Sequence, residues 1–319
     1  MIRPGLCSVT LRALAAPAVV RLAAEAGLEC LEWAGDAHVP PGDLAAARRA
    51  RELTEQAGLA VASYGSYLRF EGADEKVRAE GGAVLAAARE LGAPRIRVWA
   101  GSADSADVPA PERARIVRRL QEFADRAGAH GIDVGLEFHG RTLTDEISST
   151  LRLLAEVDRA NLRTYWQPPQ GMPEAQALET LRRALPHLST LHVFSWWPRS
   201  ERLPLSARAE LWRQAFAMVG ATGGEHDALL EFVPEDDPSL LRSETATLRE
   251  LLPPGLLTEG APMRMGTGRP IVPLHPTADS LLAIGLEVSA DHVTCLGLDL
   301  AGGTLFRRTE YLQVSTVTP

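Results

Sequence analysis

The stretch from residue 131 reads Gly-Ile-Asp-Val-Gly-Leu-Glu-Phe-His-Gly, in which Val134, Leu136 and Phe138 alternate with Asp133, Gly135 and Glu137. A period of two puts the two sets on opposite faces of a strand, so one face packs and the other delivers a carboxylate. The same pattern recurs three times downstream, where residues 161–167 end in Gln167, 188–194 carry His192 and 227–233 carry Glu231. Each polar residue falls at or near the end of a strand that a loop and a helical stretch follow. Four oxygen or nitrogen donors are thereby aimed at one end of one sheet.

Taken from the start, the pattern predicts eight strands, at 4–9, 28–34, 59–64, 95–100, 132–138, 162–167, 189–194 and 228–233. Between and after them the apolar residues recur at helical spacing, over 17–26, 44–57, 75–91, 111–129, 145–157, 173–185, 206–219 and 238–252. Helix-start signals stand at Asp43, Thr144-Asp145, Ser206 and Asp237-Pro238, and Gly27, Gly58, Gly92 and Gly131 close several helices. Eight βα units in about 250 residues are the size of a closed (β/α)8 barrel, whose chemistry sits at the carboxyl ends of its strands. An open doubly wound sheet is the rival, but no Gly-x-Gly-x-x-Gly follows any strand.

The pattern breaks after Leu252. Ten of the 24 residues from 253 to 276 are Pro or Gly, which predicts a linker over 253–280 between a barrel at 1–252 and a short β-rich tail at 281–319. The tail is broken by Ser289-Ala290-Asp291-His292 and Ala301-Gly302-Gly303 and is too short to build its own core.

Composition narrows the function. A net charge of -8 offers no basic surface to nucleic acid or anionic membrane. Cys7, Cys30 and Cys295 are few, odd in number and scattered, which argues against a disulfide framework and against a cysteine-ligated zinc. The early apolar segment 11–28 is interrupted by Arg21 and Glu25 and lacks a signal-peptide cleavage pattern, so a soluble cytoplasmic protein is expected.

Glu137, Gln167, His192 and Glu231 are spaced by 30, 25 and 39 residues, roughly one βα unit each. Ligands brought together by strand order suit a metal site at a barrel mouth. Two acids converging without a cation would repel, and one would stay protonated. Three oxygen donors and one nitrogen favour Mn²⁺, Mg²⁺ or Co²⁺, with Zn²⁺ also compatible. The competing reading gives Glu137 and Glu231 to structural ion pairs with Arg97 or Arg163.

Residues 1–252 resemble the sugar phosphate isomerase/epimerase family of xylose-isomerase-like TIM barrels. The resemblance is carried by Leu136-Glu137-Phe138-His139-Gly140 with Thr142 to Asp145, by Trp166-Gln167, by Leu191-His192-Val193-Phe194-Ser195-Trp196 and by Leu230-Glu231-Phe232. It implies that Glu137 and Glu231 bind one divalent metal and form an acid/base pair, and that His192 is a further ligand. Where such proteins often carry Asp-x-x-His, this chain has Gln167-Pro168-Pro169-Gln170. An amide oxygen still coordinates, with less charge, and the absent histidine removes an expected substrate contact.

Further substrate-binding candidates lie at strand ends and in the loops after them: Glu32, His38, Tyr64, Trp99, His139, Trp196 and Arg202. Aromatic rings suit the C–H face of a sugar, and arginines in the loop 197–205 suit a carboxylate, phosphate or hydroxyl. The resulting expectation is a metal-dependent sugar isomerase or epimerase that moves a proton next to a carbonyl through an enediolate. The partner is a small sugar or sugar derivative, bound by a chain that can also form a homo-oligomer. An inosose-type dehydratase on the same scaffold and a non-catalytic sugar-binding module are the alternatives. The tail, residues 282–303, resembles the opening hairpin of the ROK family of sugar kinases and repressors, with Glu287, Ser289 and Asp291 in place of the usual acidic residue and Gly-x-Thr. It keeps nothing to form a nucleotide cleft or a DNA-binding head, so neither activity is expected of it.

Overall fold

Eight strands pair in parallel and close on themselves in the order 1-8-7-6-5-4-3-2: Ile2–Cys7, Cys30–Ala34, Ala60–Gly65, Arg95–Val98, Asp133–Leu136, Leu162–Trp166, Leu188–Val193 and His226–Leu230. In this computed structural model residues 1–253, 257–259, 274–276, 283–299 and 303–311 are described. The chain divides into two compact units, Met1–Leu252 and Pro253–Pro319. Parallel neighbours need a long crossover, and here each is a helix laid on the outside of the barrel.

Local chemistry sets the helix ends. In the helix Leu44–Gln56, the Asp43 side chain accepts the N–H of Ala46 at 2.9 Å. The helix Ala16–Ala26 closes on Gly27 at φ 81°, a left-handed position that a side chain rarely tolerates. The helix Ala110–Gly128 buries Ile116, Leu120, Phe123 and Ala127, one stripe at three- and four-residue spacing. Each large member is worth about 1.5–3 kcal/mol of burial, so Leu120→Ala alone would cost roughly 2–5 kcal/mol.

Two differences from the sequence expectation bear on the site. The fifth strand stops at Leu136, two residues early. The Thr144 hydroxyl donates to the Glu137 carbonyl, and the His139 N–H donates to the Thr144 carbonyl at 3.2 Å, so the chain folds back and leaves the ladder. The last two helices begin late, at Ala209 and Leu241, because the 3-10 turns Leu205–Arg208 and Pro238–Leu240 precede them.

An ion network holds the amino end of the barrel. Arg3 Nε donates to Asp227 Oδ1 at 2.8 Å, while Arg95 donates to Thr190 Oγ1 at 2.9 Å and reaches Asp227 Oδ2 at 3.4 Å. The opposite end carries the cleft.

In the second unit, Ala283–Val288, His292–Leu298 and Thr304–Tyr311 form an antiparallel sheet, and Leu257–Glu259 pairs with Leu274–Pro276. Of the linker expected at 253–280, residues 254–256, 260–273 and 277–280 lie outside the described residues, as do 281–282, 300–302 and 312–319 of the tail. No helix among the described residues is long and apolar enough to cross a membrane.

Candidate active site at the mouth of the barrel

A peptide ladder ends where a strand ends, and there a side chain is free to point over the mouth. Glu137, Gln167 and Glu231 each follow directly on their strands, and His192 is the penultimate residue of Leu188–Val193. All four are buried. The backbone after Glu231 is held in an unusual turn: Phe232 has φ 61°, and its N–H donates to Thr10 Oγ1 at 2.9 Å.

The His192 imidazole stands at the centre. Its Nδ1 lies 3.0 Å from Gln167 Oε1, 3.4 Å from Glu231 Oε2 and 3.9 Å from Glu137 Oε1. Donor atoms of Glu137, His192 and Glu231 all lie within 4.8 Å of one another. Behind them Arg97 joins two acids, donating from Nε to Glu32 Oε1 at 2.9 Å and from Nη1 to Glu137 Oε2. Ser63 donates to the other oxygen of Glu32 at 2.7 Å.

This arrangement contains both sequence readings at once. The four expected ligands meet, and Arg97 does pair with Glu137. Arg163, the other arginine considered, is exposed and takes no part. Only one oxygen of Glu137 is consumed by the pair, and the other remains turned toward His192.

The donor set fits a divalent cation. Ligands at about 2.0–2.1 Å from an octahedral ion stand ~3 Å apart when adjacent and ~4 Å apart when opposite. The separations of 3.0, 3.4 and 3.9 Å from His192 Nδ1 fall in that range. Charge agrees: Arg97 pairs with Glu32 and Glu137 while Glu231 is left beside the imidazole, so three carboxylates stand against one guanidinium, an excess of negative charge that a divalent cation would offset. A second group, Cys7, Glu32 and His192, also has its donor atoms within 4.8 Å of one another, and burial pushes the Cys7 thiol up to about 12.

The same crowding shifts the acids and the imidazole. Burial works against charge on Glu32, but Arg97, His192 and Ser63 outweigh it and hold the carboxyl below its ordinary range. Burial likewise opposes a charged His192, and the adjacent Glu231 reverses the balance and raises it well above the usual imidazole value. Glu231 is lowered in turn, against burial, by His192 and Arg97. The carboxyls of Glu32 and Glu231, the Arg97 guanidinium and the His192 imidazole thus each shift in answer to the others.

A cleft of about 600 Å³ opens above this floor. One wall carries Trp99, which stacks on His139 at 4.4 Å and lies under the Arg69 guanidinium at 4.2 Å. The opposite wall carries Phe194, Trp196 and Phe232, with ring centroids 5.1 and 5.5 Å apart in succession. Arg97, Arg141, Asp145 and Gln170 add polar groups. The volume suits a small molecule with an apolar face and several oxygens.

Of the substrate candidates, Trp99, His139 and Trp196 line this cleft. The others are placed elsewhere. Both ring nitrogens of His38 are used within the fold, on Ser8 Oγ and the Leu14 carbonyl, each at 3.0 Å. Tyr64 is fully buried and donates to the Val39 carbonyl at 2.8 Å, so it plugs the barrel wall. Arg202 pairs with Asp236, lies over the rings of Trp196 and Phe232 and does not line the cleft. Glu32 is 1% exposed and lies beneath the cleft floor. Arg97 is the site residue that the ligand pattern did not include; its signal was a charge inside the apolar run Ile96-Arg97-Val98.

Comparison with known proteins agrees with the geometry. Residues 20–219, well over half of the chain, match the model of the xylose isomerase-like TIM barrel. Over 107 residues the chain is 34% identical to the 3-dehydroshikimate dehydratase of Bacillus anthracis, a match spanning 32% of this chain and only 38% of that relative. In structure it superimposes on the probable 3-DHS dehydratase AsbF of Bacillus anthracis with a TM-score of 0.66 and 23% identity, covering 78% of this chain and 99% of the other. A D-allulose 3-epimerase from Methylomonas sp. gives a TM-score of 0.58 at 17% identity, covering 79% and 98%. A Mycobacterium smegmatis protein of this fold in complex with magnesium gives 0.59 at 16%, covering 78% and 96%. Barrel closure, strand-end chemistry and the family match converge on one assignment: the chain belongs to the xylose isomerase-like TIM barrel family.

Proposed function

We propose that this chain is a divalent-metal-dependent enzyme that removes a proton next to the carbonyl of a small polyhydroxylated substrate and then expels the β-hydroxyl, a dehydratase. The observation that carries the reading is the meeting of Glu137, Gln167, His192 and Glu231 at the floor of the cleft. These four would hold the ion. When bound, a divalent ion polarises a carbonyl and stabilises the negative charge that develops as the neighbouring C–H ionises.

The residues divide the remaining work. Glu231 has no arginine paired with it and is the group left to take a proton, at the oxygen not turned toward His192 Nδ1. Glu137 is held by Arg97 and keeps a fixed position. Trp99 and Trp196 enclose the ligand from two sides, and His139 presents a polar edge from the Trp99 wall. The inequality of the two carboxylates favours elimination, in which Glu231 takes the proton from carbon and returns it to the departing β-hydroxyl, which leaves as water, so a single base suffices. The dehydratase relative supports the same choice.

Epimerisation is the second reading, because two carboxylates do face one point and a base on each side of a carbon would invert it. Purified protein with Mg²⁺ or Mn²⁺ in deuterated water, given 3-dehydroshikimate or D-allulose, separates the two. Loss of water supports the dehydratase, and deuterium incorporation with inversion and no loss supports the epimerase. Bound metal with neither outcome points to a sugar-binding module without catalysis.

A further inference from the structure

The two nitrogens of the His192 ring face different groups. The Nδ1 side faces the donors of Gln167, Glu231 and Glu137. The Nε2 side faces Glu32 Oε1 at 3.7 Å and has no hydrogen-bond partner, although the residue is wholly buried. An orphaned polar atom in a sealed interior is costly, so the carboxylate beside it needs an explanation.

Glu32 itself is held on three sides. Arg97 Nε takes Oε1 at 2.9 Å, Ser63 takes Oε2 at 2.7 Å, and the Cys7 sulfur approaches Oε1 at 3.8 Å. Gly65 leaves the space these groups fill, since a Cβ there would come within 2.7 Å of both Arg97 Nη2 and Glu32 Oε1. The carboxylate cannot turn toward the cleft, and it does not line it.

A neutral imidazole carries one proton. If it sits on Nδ1, a bare Nε2 lone pair confronts a carboxylate oxygen in a buried site, which is repulsive. If it sits on Nε2, the N–H points at Glu32 and Nδ1 is left bare before the oxygens of Gln167, Glu231 and Glu137, a repulsion that a cation bound among them relieves. We infer that Glu32 is the positioning residue that fixes the ring and tautomer of His192, with the proton on Nε2 and Nδ1 presented to the cation. The inference rests on the metal-binding reading above, and gives Glu32 a role other than the substrate contact expected from sequence.

The test uses the full chain labelled with ¹⁵N, Mg²⁺ as a diamagnetic probe, imidazole ¹⁵N–¹H correlation spectra with His192→Asn for assignment, and calorimetric Mg²⁺ titration. With Mg²⁺ the wild type should show His192 in the Nε2–H form. Glu32→Gln should weaken Mg²⁺ binding about 10–100-fold and mix the two tautomers. Ser63→Ala, which loosens Glu32 but keeps its charge, should shift the same signals to a lesser degree and covers the case in which Glu32→Gln fails to fold. Binding within twofold of wild type and an unchanged tautomer in Glu32→Gln would overturn the inference while leaving the metal site standing. An Nδ1–H signal in the loaded wild type would overturn it too, and would move the cation to the Cys7 side. A wild type that takes up no Mg²⁺ would remove the underlying reading first.

Discussion

The Arg97 guanidinium binds one oxygen of Glu137, and the second oxygen of that carboxylate faces His192 Nδ1 at 3.9 Å. One side chain is thus both neutralised and available. Without Arg97, Glu32 and Glu137 would be buried with no fixed positive charge beside them. Truncating one partner of such a pair typically costs about 3–5 kcal/mol. Arg97→Met should therefore melt well below wild type in chelator, and saturating Mn²⁺ should raise its melting temperature by more than it raises that of wild type. Equal melting in chelator would show that the ion pair carries no such weight.

Removing the acids should remove the ion. Dialysed wild type is expected to retain about one divalent ion per chain, the number one octahedral donor set accommodates. The double variant Glu137→Gln, Glu231→Gln should retain less than a tenth of that by elemental analysis. Retention at the wild-type level would place the metal elsewhere.

Gln167 stands where a charged ligand is more usual in proteins of this resemblance, and its Oε1 lies 3.0 Å from His192 Nδ1. Affinity for hard cations grows with the charge of the ligand set. Gln167→Asp should tighten Mg²⁺ or Mn²⁺ binding by about tenfold or more. Weaker binding would mean that the amide serves the histidine, not the ion.

Much of the barrel was legible because its signals are periodic. Alternation in 132–138 and the helical stripe of Ile116, Leu120 and Phe123 require no distant partner to be recognised. The convergence of Glu137, Gln167, His192 and Glu231 followed from strand order alone. What the sequence hid depended on neighbours far along the chain. His38 is occupied by Ser8 and Leu14, and Arg202 by Asp236, contacts separated by 24 to 34 residues that no local pattern announces. Arg97 read as one half of an ordinary ion pair, and its double grip on Glu32 and Glu137 emerges only once the second to fifth strands are side by side.

Acid should reveal the pairing of Glu32. Its carboxyl is lowered from 4.5, since Arg97, His192 and Ser63 together outweigh the effect of burial. A carboxyl lowered by folding adds stability that is complete above the unfolded value and is lost as pH falls through the folded one. The advantage of wild type over Glu32→Gln should thus be constant from about pH 7 to about pH 5 and shrink below 4.5, by at most about 1.4 kcal/mol per pH unit. Urea titrations at each pH measure it. An advantage that grows on acidification would reverse the sign and refute the pairing.

Glycine at position 65 is a packing requirement, and a pair of alanine substitutions isolates it. A Cβ on Gly65 would lie 2.7 Å from Arg97 Nη2, 2.7 Å from Glu32 Oε1 and 3.2 Å from Glu32 Cδ. Charged side-chain ends usually move aside, but these are bonded to each other at 2.9 Å and Glu32 is tied to Ser63 at 2.7 Å. Yielding would open the ion pair inside the barrel. Gly65→Ala should therefore cost about 1–3 kcal/mol, as overpacking of a tight interior does, and weaken metal binding as Glu32 and Glu137 are displaced. A Cβ on Gly140, in the loop beyond Glu137, would meet nothing within 4 Å, so Gly140→Ala is the control and should leave both stability and metal affinity within experimental scatter. If Gly65→Ala behaves like Gly140→Ala in denaturation and in Mn²⁺ titration, the buried acids and Arg97 are looser than their contacts indicate, and the preorganised floor on which the metal site depends is lost.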